Sequence, residues 1–235
     1  MTKFTLCSEA YFSQPLNVTK TRRYDVRKQL CLFFTMLMLF ANGFAQTSQK
    51  QGGSSFSASG QFSAASNPNV TWSYGFTNNL GEDFNLYTVG GPCCAPDDRT
   101  GWYKFLDGDS PGYPLVFTNS YLTLIGLLDV RPGPNGEYSV VRWTAPVGGT
   151  FDILGAFAGI QDCPNGAPDA DVHVLRNGTS IFDAEVICEF STPLFHFESK
   201  LKAGETIDFA VGVGAHGFRG QAIGLEAVIT PLKKL

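Results

Sequence analysis

What most restricts the fold of this chain is a rhythm. From Asn67 onward, short runs of β-branched and aromatic residues follow one another closely. No helix-length stretch carries an apolar stripe with a period of about 3.6 residues. The runs predict strands at Val70–Phe76, Phe84–Val89, Leu115–Thr118, Tyr121–Leu127, Tyr138–Ala145, Thr150–Ala158, Asp171–Leu175, Ser180–Ile187, Leu194–Leu201, Thr206–Val213 and Ala222–Ile229. Turn chemistry separates them. Asn177-Gly178 sits between two such runs, a strong hairpin signal, and Pro132–Gly136 and Ala203-Gly204 punctuate others. Alternation gives each strand one apolar face: Val141, Trp143 and Ala145 share one, as do Val172 and Val174, and Ile207, Phe209 and Val211. About ten short strands with one apolar face each predict an all-β fold, an antiparallel β-sandwich or jelly roll, over residues 67–235.

The residues before this domain read differently. Leu30–Ala41 is an uncharged apolar run preceded by Arg27 and Lys28 and followed by Gly43-Phe44-Ala45. That is the layout of a secretory signal peptide, here with a long n-region, and it predicts cleavage near Ala45. The run is short of the roughly 20 residues that span a bilayer, so no membrane span is expected in the mature chain. Residues 46–66 are rich in Ser, Gly, Gln and Ala and predict a flexible leader. The expected location is secreted, extracellular or periplasmic.

Charge narrows the partners. The chain has 17 Lys and Arg against 21 Asp and Glu. Residues 1–45 hold 6 of the basic and 2 of the acidic residues, leaving 17 − 6 = 11 against 21 − 2 = 19, a net of −8. An acidic domain of this kind argues against nucleic acid and anionic membranes as partners. The mature chain keeps Cys93, Cys94, Cys163 and Cys188, and an even count in an exported protein predicts two disulfides. Pairing Cys93 with Cys94 is disfavoured because neighbours close a tight ring; the remaining pairings stay open.

Catalytic signatures are weak. His173, His196 and His216 have no G-x-S-x-G nucleophile turn and no HExxH helix to accompany them. Carboxylates near strands (Glu137, Asp152, Asp183, Glu185, Glu198) read as solvated faces and turn caps. Asp107, Asp109, Asp169 and Asp171 place paired carboxylates in turn-rich segments, the oxygen donors that calcium takes, although outside the EF-hand pattern. Sugar contact needs flat aromatics. Trp102 and Tyr103, in the turn-rich stretch 91–114, and Trp72 and Tyr74, which share a strand face, are the candidates. The competing expectation is that these rings fill the core.

The strings GEYSVVRWTAPVGGTFDILGAF, DVHVLRNGTSIFDAEV and LKAGETIDFAVGVG resemble a module common in exported proteins of environmental bacteria, many with a PEP-CTERM sorting tail. That module is similar to the galactose-binding-like jelly rolls that house many carbohydrate-binding modules. The resemblance spans about residues 67–230, and the chain ends ITPLKKL without the tail. It implies a jelly roll, one structural calcium, and polysaccharide or a cell-surface glycan as partner. The expected function is a secreted, non-catalytic β-sandwich module that binds carbohydrate. The alternatives are a structural or adhesive protein of the cell surface or matrix and, third, a secreted glycan-active hydrolase.

Overall fold

The computed structural model describes residues 54–94, 98–108, 110–160, 169–187 and 191–232. Among the described residues, fourteen strands and one short helix follow in chain order: β1 (Phe56–Ser57), β2 (Trp72–Thr77), β3 (Asn85–Leu86), β4 (Val89–Cys93), β5 (Arg99–Asp107), β6 (Ser110–Thr118), α1 (Ser120–Ile125), β7 (Leu128–Arg131), β8 (Tyr138–Thr144), β9 (Gly149–Gly159), β10 (Asp169–Arg176), β11 (Thr179–Ile187), β12 (Leu194–Leu201), β13 (Thr206–Val213) and β14 (Ile223–Leu232). They form two sheets. One has eight strands in the order β12-β9-β14-β7-β6-β5-β4 with β1 also beside β14; the other has six, β11-β10-β13-β8-β2-β3. Every pairing between these strands is antiparallel. From β8 onward the chain crosses repeatedly from one sheet to the other, the winding of a jelly roll.

The alternation read from the sequence explains the core. Trp72, Tyr74, Val141, Trp143, Val172, Val174, Phe209 and Val211 face inward from the six-stranded sheet. They meet Val116, Leu128, Phe151, Ile153, Phe157, Phe195, Leu225 and Ile229 of the other in one continuous cluster. Burying a side chain of this size contributes roughly 1.5–3 kcal/mol. The Asn177-Gly178 hairpin takes the form its sequence requires: both residues have positive φ, 48° and 80°, as a two-residue primed turn demands.

Four expectations need correction. Residues 54–66, read as the end of a flexible leader, are part of the fold. Phe56 and Ser57 pair with Ile229 and Val228, Ala58 is fully buried, and Phe56 and Phe62 pack on the core. Apolar residues hidden among serines and glycines do this, and composition alone masks them. The strand predicted at Tyr121–Leu127 is instead helix α1. The Asn119 side chain accepts a hydrogen bond from the Leu122 amide and Gly126 closes the helix with φ 73°, a cap pair that overrides the strand-like composition. The turn-rich stretch 91–114 is mostly strand. It was illegible because β5 buries residues on both faces and so lacks alternation. Finally, Cys93 and Cys94 are bonded to each other. Cys94 takes a left-handed φ of 65° at the end of β4, and both side chains join a small apolar cluster. Cys163 and Cys188 lie outside the described residues.

Candidate functional site

The four aromatics proposed for sugar contact are all interior. Trp72, Tyr74 and Tyr103 are at most 1% exposed and Trp102 is 9% exposed. Three of their polar handles are consumed within the protein: the Trp72 indole donates to Gln61 Oε1 at 3.0 Å, the Trp102 indole to the Ser63 carbonyl at 2.7 Å, and the Tyr103 hydroxyl to the Gly91 carbonyl at 3.0 Å. Burial pushes the Tyr103 phenol up to about 12. They hold the fold and offer no open ring.

The outer face of the six-stranded sheet is different. Register aligns its outward side chains in rows. One row runs from Tyr138 on β8 past Gly212 on β13 to Asp171 on β10 and Glu185 on β11. The next holds Val140, Ala210, His173 and Asp183, and the third holds Arg142, Asp208, Leu175 and Ser180. Polar groups bond along and between these rows. Tyr138 donates to Asp171 Oδ2 at 2.8 Å; His173 Nε2 lies 2.8 Å from the same oxygen, while its Nδ1 contacts Asp183 Oδ1. Burial alone would lift the Asp171 pKa, but hydrogen bonds from His173 and Tyr138 hold it below the usual carboxylate value. Burial likewise disfavours the charged imidazole, yet Asp171 and Asp183 outweigh it and raise the His173 pKa. Ser180 donates to Asp183 rather than to His173. The imidazole is therefore not placed to take a serine proton, as a hydrolytic triad would need.

In the third row Arg142 grips Asp208 with two parallel bonds, Nε to Oδ1 at 2.7 Å and Nη2 to Oδ2 at 2.8 Å, the fork geometry that fixes a guanidinium in place. The Arg142 guanidinium also lies 4.1 Å from the Phe84 ring centre. Phe84 belongs to the connection after β2, which folds over this face; Phe84 and Leu80 pack against Val140, Leu175 and Ala210. Gly81 of that connection touches the hairpin turn so closely that a methyl group there would strike the Gly178 carbonyl. Between the connection and the turn lies an open cleft of about 420 Å³, lined by Glu82, Asp83, Phe84, Arg142, Asn177 and Thr206 with Gly81 and Gly178. Its walls are polar except for the phenyl ring. Sequence reasoning passed over Arg142 and Asp208, although their alternation opposite Trp143 and Phe209 placed both on the outward face.

The described members of the predicted calcium set, Asp107, Asp169 and Asp171, are not gathered into one site. Asp169 is buried and engaged by the loop after β13, accepting the Ala215 amide at 2.8 Å and facing His216 Nδ1 at 3.1 Å. Asp171 serves Tyr138 and His173. Asp107 ends β5 in the other sheet, and Asp109 lies outside the described residues. No group of three His, Cys, Asp or Glu side chains among the described residues is arranged to hold a metal ion. No described helix is long and apolar enough to cross a membrane.

No family model and no curated protein matches the chain. Solved structures similar to it include the xylan-binding CBM22-1 domain of Paenibacillus barcinonensis Xyn10C, 11% identical, covering 80% of this chain and 100% of that one, with a TM-score of 0.33. A CBM4 structure is 14% identical, covering 66% and 99%, TM-score 0.33. A family 35 carbohydrate-binding module from an environmental isolate is 19% identical, covering 63% and 96%, TM-score 0.31. Similarities at this level place no residue and no ligand on this chain.

Proposed function

We infer that the protein is an exported, non-catalytic module that binds carbohydrate on the outer face of its six-stranded sheet. The observation that carries this reading is the cleft itself. It combines the edge of the Phe84 ring and the guanidinium held by Asp208 with carboxylate, amide and hydroxyl groups, where the β2 connection and the hairpin turn meet over the sheet. A sugar presents the complementary chemistry, vicinal hydroxyls that donate and accept at fixed spacing around a ring with apolar C–H faces. The Arg142–Asp208 pair is already formed, so the cleft meets a ligand without reordering long side chains, which lowers the cost of binding. The apolar run and small-residue segment at residues 30–45 support export.

The experiment is a glycan array followed by affinity electrophoresis with the chain from Gln46 onward. Retention by at least one polysaccharide is expected, weakened about tenfold by Phe84→Ala. Failure to bind any glycan sinks the reading and favours a structural or adhesive surface protein. Release of reducing sugar from the retained polysaccharide would turn it toward a hydrolase.

A further inference from the structure

Among the described residues, five aromatic rings lie against strand glycines, each so close that a methyl group on the glycine would collide with ring carbons: Phe84 on Gly75, Trp102 on Gly90, Phe105 on Gly112, Phe195 on Gly155 and Tyr138 on Gly212. A glycine seat lets a ring lie against the backbone, leaving a face turned away from it. In four cases the protein covers that ring. Trp102 and Phe195 are buried in the core. The Arg142 guanidinium lies over Phe84, and the His173 imidazole packs edge-on against Tyr138 with centroids 5.7 Å apart.

Phe105 is the exception. Three of its ring carbons lie 2.5 Å from where a Gly112 methyl would stand, and the residue is 52% exposed. The position is fixed, because Phe105 and Gly112 are register partners in the β5–β6 hairpin and the preceding Lys104 is anchored to Glu137 at 2.7 Å. Beyond it, Asp107 and Ser110 face each other across the hairpin, exposed and able to accept or donate.

The geometry points to Phe105 as a stacking platform for one pyranose ring of a glycan, a contact apart from the cleft, with Asp107 and Ser110 as hydrogen-bonding partners beside it. This rests on the carbohydrate reading above. A protein partner fits poorly. The apolar surface there is Phe105 with the partly exposed Leu106 and Pro111, far short of the roughly 800 Å² per partner of a stable interface. One ring stacked on one sugar needs no more.

The test is affinity electrophoresis of the same chain in gels containing soluble xylan, mixed-linkage β-glucan or galactomannan, with melting curves for each variant. Phe105→Ala is expected to weaken retention about tenfold, with the melting temperature within a few degrees of wild type. Phe105→Tyr should retain binding. Phe105→Leu keeps apolar area but lacks a flat ring, and should lose as much as alanine. If Phe84→Ala weakens retention and Phe105→Ala does not, the platform is refuted and the cleft stands. The reverse result leaves the platform and displaces the cleft. Retention of the wild type by none of the polysaccharides removes both. Dimerisation abolished by Phe105→Ala, with retention unchanged, would instead assign the ring to a second copy of the chain.

Discussion

The outer faces of the two sheets are built to opposite ends. On the eight-stranded sheet, the face near β4–β7 is sealed. Tyr103, Leu115 and Phe117 point outward there, and Leu122, Leu127 and the bonded Cys93 and Cys94 cover them in a second small core. Arg99 and Arg131 lie over Phe117, their guanidinium carbons 5.3 and 5.2 Å from its ring centre, and Arg131 is held by buried Asp129. On the six-stranded sheet only the middle rows are covered, by Leu80 and Phe84. Around them Asp171, Asp183 and Glu185 stay open to solvent, while the Arg142–Asp208 pair shows mainly its guanidinium. One strand pattern, apolar side in, thus gives a sealed surface where the chain folds back with many apolar residues, and a more open, polar one where it does so with few.

Perturbing each face sharpens the contrast. The largest effect belongs to the sealed face: Phe117→Ala should cost about 3 kcal/mol or more in chemical denaturation while leaving glycan retention of the folded protein unchanged. A loss of retention would erase the distinction. On the open face, Arg142→Met strands the Asp208 carboxylate, which is only 5% exposed. Burial, opposed by Arg142, already lifts its pKa. About 2 kcal/mol of stability should disappear, together with retention. The double change Arg142→Met, Asp208→Leu should recover stability but not binding, separating structure from recognition.

A smaller effect is expected from pH. The folded pKa of His173 lies above its ordinary 6.5 despite burial, owing to Asp171 and Asp183. The stabilisation is therefore complete below 6.5 and is lost as pH rises through the folded value. Melting temperatures over that window should fall for the wild type and stay flatter for His173→Gln; parallel curves would show that the imidazole does not tie β11 to the sheet. The smallest effect concerns the bridge on the sealed face. A bond between adjacent residues constrains little of the unfolded chain, so Cys93→Ser with Cys94→Ser should shift stability by under about 1 kcal/mol.

Most of the fold was legible because strands with one wet face write their period into the sequence. Leu194–Leu201 and Thr206–Val213 appear with the predicted bounds. Strand β5 did not, since Trp102 faces the main core and Tyr103 the small one, leaving no alternation to read. The site was harder. Trp72 and Tyr74 share a face as expected, but nothing local says that this face is the inner one. Phe105 gains its meaning only from Gly112, and the partnership depends on a hairpin that the composition of 91–114 concealed.

The pairing of Phe56 with Ile229 also sets a clock. A ribosome that has not yet released Val228 and Ile229 holds a chain whose β1 has no neighbour and whose β9 lacks one flank. The hairpin of β10 and β11 can form early from local contacts, but closure of the eight-stranded sheet waits for β14. Until β14 is made, the eight-stranded sheet is two separate pieces, β12-β9 and β7-β6-β5-β4, with no strand between them.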